Sequence, residues 1–252
     1  MRLKGQIAVV SGGGGNIGSA ICRQLAGEGA TVIVGDVYHE GAQKCVQQII
    51  NAGGKAEPAL LNILDDACVD KVFAGVVERH GRVDIAVNVA GGSARGRIRP
   101  LYDQTMDVVD EIININLRGA LLVMRQAAIQ MKKQRSGVIV NITSIVGIQG
   151  MAGLVDYAAA KAGLIGATRS LALEMGPFNV RVNCVSPGKV PRPGEDAERV
   201  RRTNALGAAC SAEDIANMVT YLATDLAGFV TGQNFIVDGG RSLGLYGDTG
   251  RS

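Results

Sequence analysis

An α/β fold is what this sequence predicts: a doubly wound parallel sheet of about seven strands with helices on both faces. Three observations predict it. Short β-branched runs alternate along the chain with longer segments of helical spacing. The short runs are continuously apolar, as expected of strands buried on both faces. No repeat and no linker divides residues 1–252, so they are read as a single domain.

The elements follow in order. Strands are expected at Ile7–Val10, Thr31–Val34, Lys55–Leu61 (the weakest), Val83–Val87, Val138–Ile142, Val180–Val185 and Phe235–Val237. Helices are expected at Ile17–Glu28, Glu40–Ala52, Ala67–His80, Asp103–Gln134, Val155–Met175 and Ala212–Ala223. Gly29, Gly53–Gly54 and Gly81 each follow a helical run, where glycine ends a helix readily. Ser211 and Asp214 have the spacing of a capping pair. The stretch Gly188–Ala209, rich in Pro, Gly and charge, and the tail after Gly240 read as irregular.

Composition narrows the function. The 252 residues are 47% hydrophobic and 19% charged, which excludes disorder for most of the chain. With 26 basic and 23 acidic residues and no dense basic block, no nucleic-acid partner is expected. The five cysteines are scattered and form no CxxC pair, and His39 and His80 stand alone. They read as reduced thiols in a cytoplasmic protein, with no metal site. Met1–Gln6 lacks the apolar core of a signal peptide, and no apolar run reaches membrane-spanning length.

Two motifs carry chemistry. The first strand runs into Ser11-Gly12-Gly13-Gly14-Gly15-Asn16-Ile17-Gly18, and a helix begins at once. Missing Cβ atoms let a pyrophosphate approach the backbone, and the helix end carries about half a positive charge. This makes the sheet a Rossmann-type one. Asp36 closes the next strand, where an acid accepts hydrogen bonds from ribose hydroxyls and repels a 2′-phosphate. The plainer alternative is that Asp36 caps the strand or the helix near Glu40. No Arg or Lys lies between Ser11 and Gly18, and Val37 follows Asp36, so NAD is favoured over NADP.

The second motif is Tyr157-Ala158-Ala159-Ala160-Lys161 in a helical segment, which puts phenol and ammonium on one face. A free tyrosine has a pKa of about 10, and bringing it near neutrality takes about 3–4 kcal/mol. A nearby ammonium acts in that direction. Ser144 ends the fifth strand, thirteen residues before Tyr157, at the sheet edge where ligands bind in such folds.

These residues resemble the short-chain dehydrogenase/reductase family, and the resemblance runs from Lys4 to about Gly240. The family's glycine turn matches Ser11, Gly12, Asn16 and Gly18, and its N-N-A-G segment matches Asn88-Val89-Ala90-Gly91. Its helix asparagine matches Asn116, and its active-site trio matches Ser144, Tyr157 and Lys161. Its late signatures match Pro187-Gly188, Thr231-Gly232-Gln233 and Asp238-Gly239-Gly240. The resemblance implies hydride exchange between a nicotinamide coenzyme and a secondary alcohol or ketone. Ser144 would hold the substrate oxygen and Tyr157 would move its proton. Lys161 would lower the tyrosine pKa and bind the nicotinamide ribose, and Asn116 would hold a water linking Lys161 to solvent. Asn88 would position coenzyme-binding backbone. Ile17, Ile63, Ala90, Gly91, Pro187, Gly188 and Val190 would complete the coenzyme site. A homotetramer is the usual family assembly.

There are departures. Asn16 replaces the middle glycine of the turn, and asparagine tolerates a left-handed backbone. Val89 replaces the second asparagine of the N-N-A-G segment. Asn62 stands where an aspartate is usual, and its carbonyl can accept from adenine. Arg192 stands where a threonine usually binds the carboxamide. For the substrate, Ser93, Arg95, Gln149, Met151 and Arg192 are the candidate contacts, with Met151 equally readable as packing. Basic residues after Gly91 and after Gly188, the latter in a lid over 188–209, suggest a polar or anionic substrate. Solvated or internally paired arginines are the plainer alternative. A 3-oxoacyl thioester reductase is the second reading, with Arg125, Lys132, Lys133 and Arg135 as a carrier-protein face. A non-catalytic coenzyme-binding protein is the third.

Overall fold

The computed structural model describes residues 1–92, 97–191 and 194–244. Its strands are β1 (Ile7–Ser11), β2 (Thr31–Asp36), β3 (Lys55–Leu60), β4 (Ile85–Asn88), β5 (Gly137–Ile142), β6 (Val180–Pro187) and β7 (Asn234–Val237). All pair in parallel, in the order β3-β2-β1-β4-β5-β6-β7. The chain reverses its direction of travel across the sheet between β1 and β4, which opens a crevice at their carboxyl ends.

Helices cover both faces. On one side lie α1 (Asn16–Gly27) and α2 (His39–Asn51). The other side carries α3 (Asp66–His80), α4 (Met106–Ile113) and α5 (Gly119–Gln134). After β5 come a single turn, α6 (Val146–Gln149), and the long α7 (Val155–Met175). Then follow α8 (Ala197–Arg201) and α9 (Ala212–Ala223). Alternate strand residues feed alternate cores. Val10 and Val34 pack with Ile21, Leu25, Ile49 and Ile215 of α1, α2 and α9. Val9 and Ile33 pack with Phe73, Val123, Met131 and Leu164 of α3, α5 and α7. Each large aliphatic side chain so buried contributes about 1.5–3 kcal/mol.

Most expected boundaries hold to within two residues, and Ser211 and Asp214 form the reciprocal cap at the start of α9. Gly81 ends α3 with φ 76°, the left-handed turn that glycine permits. The expected single helix over Asp103–Gln134 is broken. Leu101–Asp103 is a short 3-10 turn, Thr105 precedes α4, and Asn114–Arg118 is a wide π turn between α4 and α5. Apolar spacing alone does not register one residue inserted into a helix that stays helical on both sides. The irregular stretch 188–209 contains α8.

A polar row crosses the sheet. Ser11, Asn88, Asn141, Cys184 and Asn234 are successive register partners, at or next to the carboxyl ends of β1, β4 and β5, in the middle of β6 and at the start of β7. Asn88 Nδ2 donates to Asn141 Oδ1 at 2.7 Å, and Asn141 Nδ2 donates to Thr168 Oγ1 of α7 at 2.9 Å. Further along, Cys184 Sγ and Ser186 Oγ donate to Asn234 Oδ1 at 3.3 and 2.8 Å. Asn141 and Thr168 are wholly buried. Replacing Asn141 by alanine leaves the Asn88 amide without its acceptor, a loss of about 1–3 kcal/mol for a buried donor. Urea unfolding of Asn141→Ala is expected to show that drop in midpoint with an unchanged slope.

Candidate active site

The crevice at the β1/β4 reversal is a cleft of about 860 Å³. Its floor is the glycine turn. Gly12 has φ 71°, and a Cβ there would lie 2.6 Å from the Ala90 nitrogen, so the turns after β1 and β4 meet backbone to backbone. A Cβ on Gly18 would strike the Gly12 carbonyl oxygen at 2.0 Å. Both positions therefore demand glycine. The turn survives the replacement at Asn16, and without a left-handed backbone there. Asn16 opens α1, and its Nδ2 donates to Pro191 O at 3.3 Å, joining the turn to the segment after β6. The α1 N-terminus has no side-chain cap and no acid in its first turn. Its amides are left for a ligand that brings negative charge.

Asp36 is buried at the end of β2 and lines the cleft. One carboxylate oxygen accepts from Gly14 N at 3.0 Å and the other from Tyr38 N at 2.9 Å. The acid thus ties the glycine turn to the residues after its own strand, the plainer of the two readings, and it stands in the cleft where the ribose reading needs it. Next to it, Asn62 and Ile63 line the wall, and Asn62 Oδ1 accepts from Leu64 N at 3.0 Å. Ile17, Ala90, Gly91, Pro187, Gly188 and Val190 line the cleft as expected. Ser11 and Asn88 do not. They are buried beneath it, where Ser11 O accepts from Val89 N and Ala90 N at 3.1 and 3.0 Å.

Ser144, Tyr157 and Lys161 come together in the same cleft. Ser144 Oγ accepts from Val146 N at 3.2 Å, which orients the hydroxyl at the start of α6. Lys161 is 4% exposed, and its Nζ donates to Ile142 O at 3.0 Å. The same Nζ lies 5.7 Å from the centre of the Tyr157 ring. Burial lowers the Lys161 pKa to about 8. At pH 7 the side chain is still mostly an ammonium, and it is one that sheds its proton readily.

Asn116 sits in the π turn, wholly buried. Its Oδ1 accepts from Gly92 N at 2.9 Å, and its Nδ2 donates to Gly92 O and Ile112 O at 2.9 and 3.0 Å. Both amide hydrogens are therefore committed to backbone, and a water on this side chain would sit on its oxygen. A Cβ on Gly91 would lie 2.5 Å from Asn116 Oδ1 and 3.4 Å from Lys161 Nζ, so glycine keeps room between them.

The substrate candidates fare differently. Ser93, Arg95 and Arg192 lie outside the described residues. Gln149 is exposed and donates to Ser242 O, and Met151 is exposed, so neither lines the cleft. Residues that the sequence reading did not single out do line it: Thr143, Glu111, Ile112 and Ile115. Thr143 had a signal, being adjacent to Ser144. Glu111 and Ile112 of α4 and Ile115 of the π turn had none, because apolar spacing does not register that turn. Of the expected basic residues, Arg97 forms a two-pronged pair with Glu111 at 2.8 Å, and Lys189 pairs with Glu195 at 2.7 Å.

A family model described as "Enoyl-(Acyl carrier protein) reductase" matches residues 13–242. The chain belongs to the short-chain dehydrogenase/reductase family. It is 38% identical to a 3-oxoacyl-[acyl-carrier-protein] reductase FabG of Thermotoga maritima, over 95% of this chain and 99% of that one. It is 35% identical to a 3-alpha-(or 20-beta)-hydroxysteroid dehydrogenase of Mycobacterium bovis, over 97% of this chain and 92% of the other. The solved structure of NAD+-bound xylitol dehydrogenase superposes with a TM-score of 0.90 at 26% identity, covering 95% of this chain and all of that one. As a short-chain dehydrogenase/reductase the protein is an oxidoreductase, and the family works with a nicotinamide coenzyme. No helix among the described residues is long and apolar enough to cross a membrane.

The sign of the lysine's effect on stability follows from its burial. The unfolded chain holds this proton up to about pH 10.4. The folded chain gives it up near pH 8. Between those values the unfolded state binds more protons, so stability rises with pH. Below pH 8 the full penalty of the buried charge applies. Lys161→Met is expected to raise stability at pH 7 by about 1–3 kcal/mol. That gain shrinks as the pH climbs from 8 toward 10.4, and the variant has no turnover. Thermal unfolding of both proteins across this range checks the sign.

Proposed function

We propose that the protein transfers hydride between NAD(H) and a polar secondary alcohol or ketone. The observation that carries this reading is the single cleft shared by Asp36, the uncapped α1 N-terminus, Ser144, Tyr157 and Lys161. When bound, the nicotinamide supplies the hydride donor or acceptor. The chain does the rest. Gly12, Gly18 and the α1 amides receive the pyrophosphate, and Asp36 accepts from the adenosine ribose. Asn62, Ile63, Ala90, Gly91, Pro187, Gly188 and Val190 form walls around the coenzyme, while Ser11 and Asn88 hold the turns from below.

Ser144 Oγ donates to the substrate oxygen and fixes it. Tyr157 Oη gives or takes the proton on that oxygen. Lys161 favours the phenolate by its charge and is positioned to hold the nicotinamide ribose. Asn116 Oδ1, across Gly91 from Lys161, holds the water that returns the proton to solvent. We assign a substrate that is polar, or anionic, near the reacting carbon. Among the described residues of the two basic segments, Arg97 pairs with Glu111, Lys189 with Glu195 and Arg201 with Glu198, so an anion meeting one of these three would compete with its carboxylate.

A 3-oxoacyl thioester reductase is the second reading, favoured by two FabG relatives at 38% and 36% identity. Asp36 speaks against the NADPH that such reduction would use. Turnover of acetoacetyl-coenzyme A with NADPH exceeding that of any alcohol with NAD would decide for it.

Residues 188–209 serve in this reading as the lid of one catalytic domain. Exposed Leu121 and Ile129 on α5, Leu173 on α7 and Ile236 on β7 suit a homotetramer, to be read by sedimentation. Free thiols at all five cysteines suit the cytoplasm.

Two expected outcomes test the core of this. Tyr157→Phe should lose about 10²–10⁴-fold in turnover. Its NADH affinity, measured by fluorescence titration, should stay within a factor of two or so. Asp36→Ser should raise the NADP-to-NAD ratio of kcat/KM at least about tenfold, the worth of one lost charge repulsion of about 1.4 kcal/mol. It should also weaken NAD itself, because Gly14 N loses its acceptor. An unchanged coenzyme ratio would refute the assignment of Asp36.

A further inference from the structure

Behind the glycine turn, α1 and α2 hold two thiols that the hydride chemistry does not use. The turn and α2 are pressed together there, since a Cβ on Gly14 would lie 2.7 Å from the Gly41 carbonyl carbon. Cys45 lies four residues beyond Gly41, and Cys22 lies four beyond Gly18. Each therefore faces the same seam one helical turn further along. Both are buried in one apolar cluster with Ile21 and Ile49. The Cys22 thiol is directed at Gly13 O and the Cys45 thiol at Ser19 O, each at 3.9 Å. A Cβ on Gly13 would lie 3.1 Å from Cys22 Sγ, so this sulfur supports the turn from below. The two side chains also act on each other. Burial pushes the Cys22 thiol up, while the neighbouring Cys22 side chain lowers the Cys45 pKa. Cys45 is thus the nucleophilic partner and Cys22 the proton-bearing one.

We propose that Cys22 and Cys45 form an oxidisable dithiol site, closed to a disulfide by a hydroperoxide, whose closure weakens coenzyme binding at the adjoining turn. The Cys45 sulfur attacks one oxygen of hydrogen peroxide. The O–O bond breaks, and the departing hydroxide takes the proton shed by Cys45 and leaves as water, so that Cys45 becomes a sulfenic acid. The Cys22 sulfur then attacks the Cys45 sulfur. The S–O bond breaks, and a second water leaves with the Cys22 proton. Two thiols are oxidised, one peroxide is reduced to two waters, and a thiol reductant reverses the change.

A disulfide requires the sulfurs to approach to about 2.05 Å. Cys22 then turns from Gly13 O toward α2, and α1 moves with it. Gly13 N and Gly14 N are tied to β2 through Gly35 O and Asp36, at 3.0 Å each, so the turn cannot follow α1 without losing those contacts. The uncapped amides at the start of α1 move out of line with the turn.

The test uses the full chain. After peroxide treatment and alkylation, trypsin should release peptide 5–23 joined to peptide 45–55, each with one cysteine, two hydrogens lighter than their sum. The dissociation constant for NADH, with NADPH run alongside, should rise at least about fivefold and return on adding dithiothreitol. Cys45→Ser should give no linked peptide and no peroxide-dependent change in affinity. Should that variant not fold, the oxidised and re-reduced natural chain makes the same comparison. Absence of the linked peptide under conditions that modify Cys68 or Cys210 overturns the proposal, and so does a linked peptide with unaltered affinity. If the reduced chain bound neither coenzyme, the functional reading would fall, while the peptide result would still judge the dithiol.

Discussion

The site depends on strand ends being level, and a line of buried hydrogen bonds makes them so. Ser11, Asn88 and Asn141 are register partners on adjacent strands, and the Asn88–Asn141 bond is 2.7 Å. A one-residue slip of either strand would bury an unpaired amide, at about 1–3 kcal/mol for each group. Apolar neighbours could slide past one another at less cost, because dispersion contacts have no direction. The polar row therefore supplies what the surrounding valines and isoleucines do not, a unique register. Beyond it β1 and β4 end at once in Gly12 and Val89–Ala90, and β5 runs one residue further before Thr143–Ser144. The cleft exists because those strands end within one residue of each other.

Close packing of backbone then shapes the cleft. Gly12 against Ala90, Gly18 against Gly12 and Gly91 against Asn116 are contacts that a single methyl group would open. Each brings a stretch of amides or a polar side chain nearer to the ligand space than any other residue would allow. The π turn at Asn114–Arg118 works with them. It carries Asn116 inward, where the amide clasps both backbone groups of Gly92 and fixes the loop after β4. Helix, loop and strand meet in this clasp, and Lys161 lies on its far side.

Much of this could be read in the sequence, for physical reasons that differ by element. The strands were legible because both of their faces are apolar, and the α1 turn because glycine is irreplaceable at a close approach. Ser144, Tyr157 and Lys161 were legible because residue type and spacing have to agree for the chemistry to work. The π turn was not, since Asp103–Gln134 keeps its apolar rhythm through the inserted residue. What Asn16 does was not legible either: it keeps the turn by beginning α1 and directs its side chain to Pro191. Gln149 and Met151 are exposed outside the cleft lining, because short turns such as α6 and the residues after it aim successive side chains in directions that a sequence does not determine. The pairing of Arg97 with Glu111, fourteen residues away, is a tertiary contact that charge patterning could allow but not fix.

Lys161 shows why such a site is hard to keep. An ammonium taken out of water and bonded to the Ile142 carbonyl is under-solvated, and burial lowers its pKa to about 8. A fold selected only for stability would place leucine there, as it does three residues later at Leu164. The charge stands instead beside the Tyr157 ring in a cleft lined by polar groups, where the proposed chemistry would use it. Its partner, Ile142 O, is the last carbonyl of β5, held in place by the same register that the asparagines enforce. The strand that positions Ser144 thus also restrains the ammonium. Slack in the sheet would let Lys161 swing to solvent, regain its hydration and lose its influence on Tyr157. Rigidity below the site is what lets a poorly solvated charge remain where it is useful.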